Sequence, residues 1–371
     1  MSVVKTPKFL LGLAVITLFS NTTYADTNIT PKIINGSDAA TQEVPWQVFV
    51  QVHDKLKGNS SCGGVVLNSH WILTAAHCVD VSSNDNLWTA ADPEDVYVGS
   101  GMTSLDDDNM KVTHAEKVII NPHYFKAFPY KDIALVKLKY PVSEKNKPIK
   151  LLSLEGQQAL DLEMALGTAD NVYTSGWGRT SNDTNREDSK RVNLQRTVLT
   201  GVDDSRCGQA WSAKQWFNDF GDNYICANSD VAGVCSGDSG GPLVWQDKSH
   251  SADADKGYRL VGITSFVHKS RCANNSYPDV FTQVSGAKDW ILQQVNGYGE
   301  PNSTFEYDIF HPENNPPELN EPNIQGKEQK DSSSGGGSIG YLALFMIAIL
   351  TFFKTGNGIY CPTSSSDRSC K

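Results

Sequence analysis

Three short segments carry side chains that together could cleave an acyl bond. His77 lies in Leu73-Thr74-Ala75-Ala76-His77-Cys78, Asp132 opens Asp132-Ile133-Ala134-Leu135-Val136, and Ser239 is centred in Gly237-Asp238-Ser239-Gly240-Gly241-Pro242. A serine hydroxyl is a poor nucleophile near neutral pH, so attack on a carbonyl needs a base, a group that orients the base, and donors for the developing oxyanion. Each segment alone is ordinary: a His before a Cys is more often structural, and an Asp at the start of a strand is usually a turn residue. Their conjunction, in the order His, Asp, Ser, is what points to acyl transfer.

The elements that must position these residues read as β-structure. From Ile33 to about Asn296, short strand-like runs are separated by Gly, Asn, Asp and Ser clusters, with little helical periodicity. Trp46 to Val52 alternates partly between apolar and polar, Cys62 to Leu67 and Trp71 to Ala75 flank an Asn68-Ser69-His70 turn, and Asp132 to Leu138 alternates again. One helix is predicted near the end of this region, with Ser285 as its N-cap and Ala287, Trp290, Ile291 and Val295 on one face.

The chain has 371 residues and a formal net charge of -10, which allows a sizeable core and disfavours nucleic acid as a partner. Lys5 and Lys8, the apolar run Phe9 to Phe19 and a small-residue ending at Ala25 read as a secretory signal peptide. Export makes disulfides permissible. Cys62, Cys78, Cys207, Cys226, Cys235 and Cys272 lack the paired Cys-x-x-Cys spacing of a zinc site, so disulfides are expected of them; Cys361 and Cys370 stand apart in the tail. Past Gly297 the composition turns to Pro, Asn, Glu, Gln and Ser, predicting a flexible linker with a Gly-rich end. The apolar run Ile339 to Phe353, followed by Lys354, reads as a short hydrophobic membrane segment, although it is below the usual spanning length of about 17 residues.

The His77, Asp132 and Ser239 motifs, with Ser175-Gly176-Trp177-Gly178 and Trp290-Ile291, resemble the chymotrypsin-like (trypsin, chymotrypsin, elastase) serine proteases from Ile33 to about Val295. The chain order is that family's and differs from those of subtilisins and α/β-hydrolases. The resemblance implies an all-β fold of two packed six-stranded antiparallel barrels with a C-terminal helix, the site lying between them. It implies Ser239 as nucleophile, His77 as general base and acid, and Asp132 as the group that orients the imidazole, with Ser265 supporting Asp132. The oxyanion would meet the N–H groups of Gly237 and Ser239. Family pairing implies disulfides Cys62–Cys78, Cys207–Cys226 and Cys235–Cys272. Lys32-Ile33-Ile34-Asn35-Gly36 resembles the activation junction, so cleavage after Lys32 would free an ammonium on Ile33 to pair with Asp238.

The primary specificity pocket, by the same resemblance, has Gly233 at its floor and Val234, Thr264, Ser265, Phe266, Val267 and Phe281 around it, with Asp279 near the base. Val267 resembles the residue that narrows the mouth of neutrophil-type elastase pockets, giving an expected preference for small or medium aliphatic side chains. A carboxylate at Asp279 leaves broad or basic specificity as alternatives. No cofactor or metal is expected; Asp106-Asp107-Asp108 falls where some relatives bind calcium, but Ser100 stands in place of a ligand and the triplet reads as a solvated loop.

The Gly-rich stretch, apolar segment and basic residue resemble the Gly-Gly sorting tails of Gram-negative exoproteins, Vibrio-type secreted serine proteases included; a lipid-anchor signal is the competing reading. The expected organisation is therefore a signal peptide (1–25), activation propeptide (26–32), protease domain (33–297), linker (298–338), hydrophobic sorting or membrane segment (339–353) and polar tail (354–371). Expected partners are protein or peptide substrates, an activating protease, secretion machinery and a tail-processing protease, acting on a monomer that is secreted or held at the cell surface. A catalytically dead homologue that uses its surface for binding is the competing functional class.

Overall fold

The computed structural model describes residues 33–319 apart from 56–57, 85–86, 128, 183–191, 212–220 and 270. Strand β1 (Ser37–Asp38) precedes a closed six-stranded antiparallel barrel of β2 (Gln47–Asp54), β3 (Gly58–Asn68), β4 (Trp71–Thr74), β5 (Val96–Ser100), β6 (Lys111–Ile120) and β7 (Ala134–Leu138), in the order β2-β3-β4-β7-β6-β5. The strand β8 (Lys150–Leu151) leads to a second ring, β9 (Val172–Gly176), β10 (Gln195–Val202), β11 (Tyr224–Asn228), β12 (Pro242–Gln246), β13 (Tyr258–Phe266) and β14 (Asp279–Gln283). Its order is β9-β10-β11-β14-β13-β12, closed by pairing of β12 with β9. Closure removes the unpaired edges that an open sheet would expose.

The alternation read from sequence places Val48, Val50 and Val52 inside the first barrel, and Ile72, Leu73 and Leu135 are buried in the same core cluster. Asn68 makes the β3–β4 corner by accepting from the amides of His70 and Trp71 through Oδ1, the side-chain turn that short Asx residues favour. The second barrel is filled by Ile225, Leu243, Val261, Phe281 and Trp245.

Four helices join these strands among the described residues: α1 (Ala76–Val79), α2 (Leu154–Leu166), α3 (Asp204–Trp211) and α4 (Lys288–Gln294). The terminal helix is found, with Ala287, Ile291 and Val295 buried, but Ser285 does not cap it. A 3-10 turn, Ser285–Ala287, comes first, and the Ser285 hydroxyl donates to Gln157 Oε1 instead. Helix α2 is not anticipated by the sequence reading. Its ends are nonetheless marked: Ser153 Oγ accepts from the Gly156 amide, and Gly167 closes it at φ 70°.

The stretch after Gly297 corrects the linker expected over 298–338. Phe305, Tyr307 and Ile309 are buried and alternate with exposed or half-exposed Glu306 and Asp308. Phe305 meets the Trp46 ring edge-on at 5.0 Å and stacks on Tyr258 at 5.9 Å, while its amide donates to Ala254 O. Burying three such side chains contributes about 1.5–3 kcal/mol each, a large share of a domain's net stability of about 5–15 kcal/mol. Low average hydrophobicity hides this, because the few apolar residues are spaced to face a ready-made aromatic surface. The expected segments 1–25, 26–32, 339–353 and 354–371, and the linker beyond 319, lie outside the described residues. No helix among the described residues is long and apolar enough to cross a membrane.

Candidate active site

His77 sits in α1, immediately after β4, and Asp132 precedes β7, the strand paired with β4. That pairing brings the two together. Asp132 Oδ2 lies 2.7 Å from His77 Nδ1, and Asp132 Oδ1 accepts from the His77 amide at 2.9 Å, so one carboxylate fixes both ring and backbone. Ser265 Oγ, from β13 of the other barrel, donates to Asp132 Oδ2 at 2.6 Å, and Thr282 Oγ1 donates to the Asp132 carbonyl at 2.9 Å. Asp132 is wholly buried whereas the His77 side chain is 33% exposed.

The electrostatics of the pair follow from these contacts. Burial by itself would raise the Asp132 carboxyl, but the His77 charge and the bonds from His77 and Ser265 outweigh it and hold the carboxyl below its ordinary value. For His77, burial would lower the imidazole, yet the adjoining Asp132 charge and hydrogen bond prevail and raise it. Such a histidine is readier to accept a proton.

Ser239 is brought to this pair by backbone packing. The Gly63 amide donates to Ser239 O at 2.7 Å, and the Gly240 amide donates to Thr264 O at 2.8 Å. A Cβ on Gly240 would stand 2.2 Å from Thr74 Oγ1 and 3.1 Å from the Ala75 amide, so the turn after Ser239 lies hard against the segment that leads into His77. The Cys62–Cys78 disulfide ties the residue beside Gly63 to the residue beside His77. Gly237, at φ 102°, occupies a conformation that side chains resist, and its Cβ would press on Gly178 Cα at 2.9 Å. Among the described residues, neither the Gly237 nor the Ser239 N–H donates a hydrogen bond.

Asp238, between them, is fully buried and accepts from the amides of Gly178 and Cys235 at 2.8 Å each. Burial pushes its carboxyl up to about 7, although both amides oppose the shift. A Cβ on Gly176 or Gly178 would strike this carboxylate, at 2.1 and 2.5 Å. These glycines, quoted in the sequence only as part of a resemblance, make room for Asp238. Ile33 is also fully buried, and Ile34 forms a β-bridge with Gly233.

Several of the residues expected to line a specificity pocket lie next to one another. Asp279 Oδ2 accepts from the Val234 amide at 2.8 Å and lies 2.5 Å from where a Gly233 Cβ would be. Burial pushes Asp279 up to about 8, with the Asp238 charge adding to the rise against the Val234 bond. Val234, Thr264, Ser265 and Phe281 are buried and Phe266 and Val267 half-buried. Thr264 pairs with Phe281 and Phe266 with Val280 across a register shift that re-aims β13 at this point. The disulfides Cys207–Cys226 and Cys235–Cys272 are formed as the family pairing implies.

The one grouping of potential metal ligands among the described residues, Cys62, His77 and Cys78, offers no thiolates because its cysteines are joined to each other. In the acidic triplet, Asp107 Oδ1 accepts from the backbone and side chain of Asn109. Ser100 is buried, with its hydroxyl donating to Lys111 O.

The sequence model described as Trypsin matches residues 33–291. The chain belongs to the trypsin family. Chymotrypsin-like elastase family member 1 of Macaca fascicularis is 31% identical over 292 residues, covering 77% of this chain and 97% of that protein. Clotting factor C of Tachypleus tridentatus is also 31% identical, over 73% of this chain but 26% of that much longer protein. Among solved structures, HL collagenase superposes with a TM-score of 0.55 at 29% identity, over 70% of this chain and 97% of its own. A scabies mite inactivated protease paralogue, at 24% identity and a TM-score of 0.56, shares the fold. The trypsin-family chain is accordingly a chymotrypsin-like serine protease.

Two positioning roles are not legible in this trypsin-family sequence. Thr282 and Gly63 carry no chemistry of their own, and what marks them is a partner 150 residues away in one case and a close approach to Gly241 in the other.

Proposed function

We propose that the chain is a secreted endopeptidase, made as a latent precursor, in which Ser239 Oγ attacks the scissile carbonyl while His77 takes its proton. The tetrahedral oxyanion rests on the Gly237 and Ser239 amides. His77 then protonates the departing amine as the C–N bond breaks, and water releases the acyl group from Ser239 by the same steps in reverse. Asp132 keeps the imidazole in the tautomer that leaves Nε2 free. The observation that carries this reading is the double hold of Asp132 on His77, at 2.7 and 2.9 Å, on a segment against which the Ser239 turn is packed. Replacing Ser239 or His77 by Ala is expected to lower kcat by about 10⁴–10⁶-fold, with the double variant scarcely worse than either. Steady-state hydrolysis of a matched peptide checks this, and a Ser239→Ala protein that turns over normally would contradict it.

Cleavage after Lys32 starts activity in this reading. Asp238 is buried with two amide donors and, among the described residues, no cation beside it. An ammonium on Ile33 would supply that charge and order the Gly237 loop. A basic residue at the junction points to a separate activator with trypsin-like preference. Three disulfides agree with export through the signal peptide 1–25 into an oxidising compartment, and the Gly-rich tail with 339–353 would serve as a sorting signal.

The preferred residue before the cleaved bond is small or medium and aliphatic. Val267 at the mouth supports this, as does the likeness to proteins named elastases. Asp279, raised to about 8, is largely uncharged at neutral pH and does not then present the fixed anion that a Lys or Arg side chain would seek.

A further inference from the structure

The trypsin-family match ends at residue 291, yet the chain stays packed on the protease core through Leu319. This strap bridges both barrels. Lys147 Nζ and Ser303 Oγ bind it to the segment between the barrels, donating to Thr304 O and Pro148 O at 2.9 and 2.6 Å. Beyond Phe305 it crosses the second barrel, where the Ile309 amide donates to Tyr258 Oη at 3.1 Å and Phe310 packs on the Tyr173 and Tyr258 rings. Asn315 then folds it back, accepting from the Asp308 amide at 2.7 Å and donating to the Asp308 carbonyl at 3.0 Å.

Beside Tyr307 lies an ion pair between a fully buried Glu43 and a half-buried Arg196. Glu43 Oε1 is 3.0 Å from Arg196 Nε and accepts from Tyr173 Oη at 2.8 Å, and Glu43 Oε2 accepts from the Ala40 amide at 2.7 Å. Arg196 is also the strand partner of Ser37 in β1, and the buried Tyr307 of the strap interacts with its guanidinium. Residues 37–44 are thus clamped by a carboxylate–guanidinium pair whose outer side the strap covers. The far end of that same segment is Ile33.

We propose that the strap is a clasp belonging to the catalytic domain, which seats the activation segment through Tyr307, Arg196 and Glu43 so that Ile33 can be held beside Asp238. This rests on the activation reading above. Breaking a pair with a fully buried carboxylate is far costlier than never having made it, so a tyrosine set against the guanidinium holds the segment by a small number of contacts.

The test compares full-length protein with Tyr307→Phe and with chains ended after Leu319 and after Gly297. All are cut to completion after Lys32, as verified by mass spectrometry. Ending at Leu319 is expected to leave the unfolding midpoint within about 3 °C, while ending at Gly297 lowers it by about 10 °C or more or prevents accumulation. Tyr307→Phe keeps the midpoint but speeds amide exchange at Ala40 by about tenfold, and lowers the fluorophosphonate titre by roughly threefold at unchanged KM. Unchanged Ala40 exchange in Tyr307→Phe overturns the clasp, whatever the shortened chains do. A Lys32→Gln protein as active as the cut one would instead sink the activation reading, with Ala40 exchange still deciding the clasp.

Discussion

Asp238 and Asp279 are both buried carboxylates, and the charge of Asp238 makes that of Asp279 harder to form. Burial pushes the Asp279 carboxyl up to about 8, so the proposed pocket would change charge within an accessible pH range. At pH 6, matched peptides with Ala or Val before the cleaved bond should be turned over at least about tenfold faster than those with Lys or Arg. By pH 9 that ratio should fall severalfold as the carboxylate charges. Asp279→Asn should abolish this pH dependence; a flat ratio in the unaltered protein would refute it. The sign for stability runs the same way. A folded value of about 8 above the ordinary 3.8 means that ionising the group costs stability as pH climbs through that interval. The nucleophile, base and orienting carboxylate of the proposed mechanism are legible in the sequence because their flanking residues are distinctive. The raised Asp279 is not, because burial is a property of the packed pocket.

Loops of glycine do as much as strands to build the Asp238 seat. A methyl group on Gly178 would lie 2.5 Å from the Asp238 carboxyl carbon, part of a buried carboxylate held by the amides of Gly178 and Cys235. Gly178→Ala should therefore cost about 1–3 kcal/mol in denaturant unfolding and lower the fluorophosphonate titre of the cut protein by about tenfold or more. A normal titre would show that Asp238 is free to move. Other elements resist reading from sequence for physical reasons. Helix α2 exposes Leu154, Leu162 and Leu166 while burying Leu160 and Met164, so apolar residues surround it and no single stripe stands out. The strap after Gly297 carries few apolar residues, and what orders it is a surface of Trp46, Tyr173 and Tyr258 contributed by distant strands. Strands β2 and β7, by contrast, are found within a few residues of their expected limits, β2 with Val48, Val50 and Val52 buried and Phe49 and Gln51 half-buried between them.

Across the whole molecule, the candidate site is divided. His77 and Asp132 come from the first barrel, while Ser239 and Ser265 come from the second. Neither barrel can assemble it alone, and contacts that cross between them, from Ser265 to Asp132 and from Gly63 to Ser239, set its geometry. The strap adds a third tie remote from the serine. The most direct test of the whole account is fluorophosphonate labelling of the secreted protein before and after cleavage at Lys32, with the modified residue located by mass spectrometry. Labelling at Ser239 that appears only after the cut, and is absent from His77→Ala, is the predicted result. A cut protein that remains unlabelled at Ser239, or an intact one labelled just as fast, would contradict it.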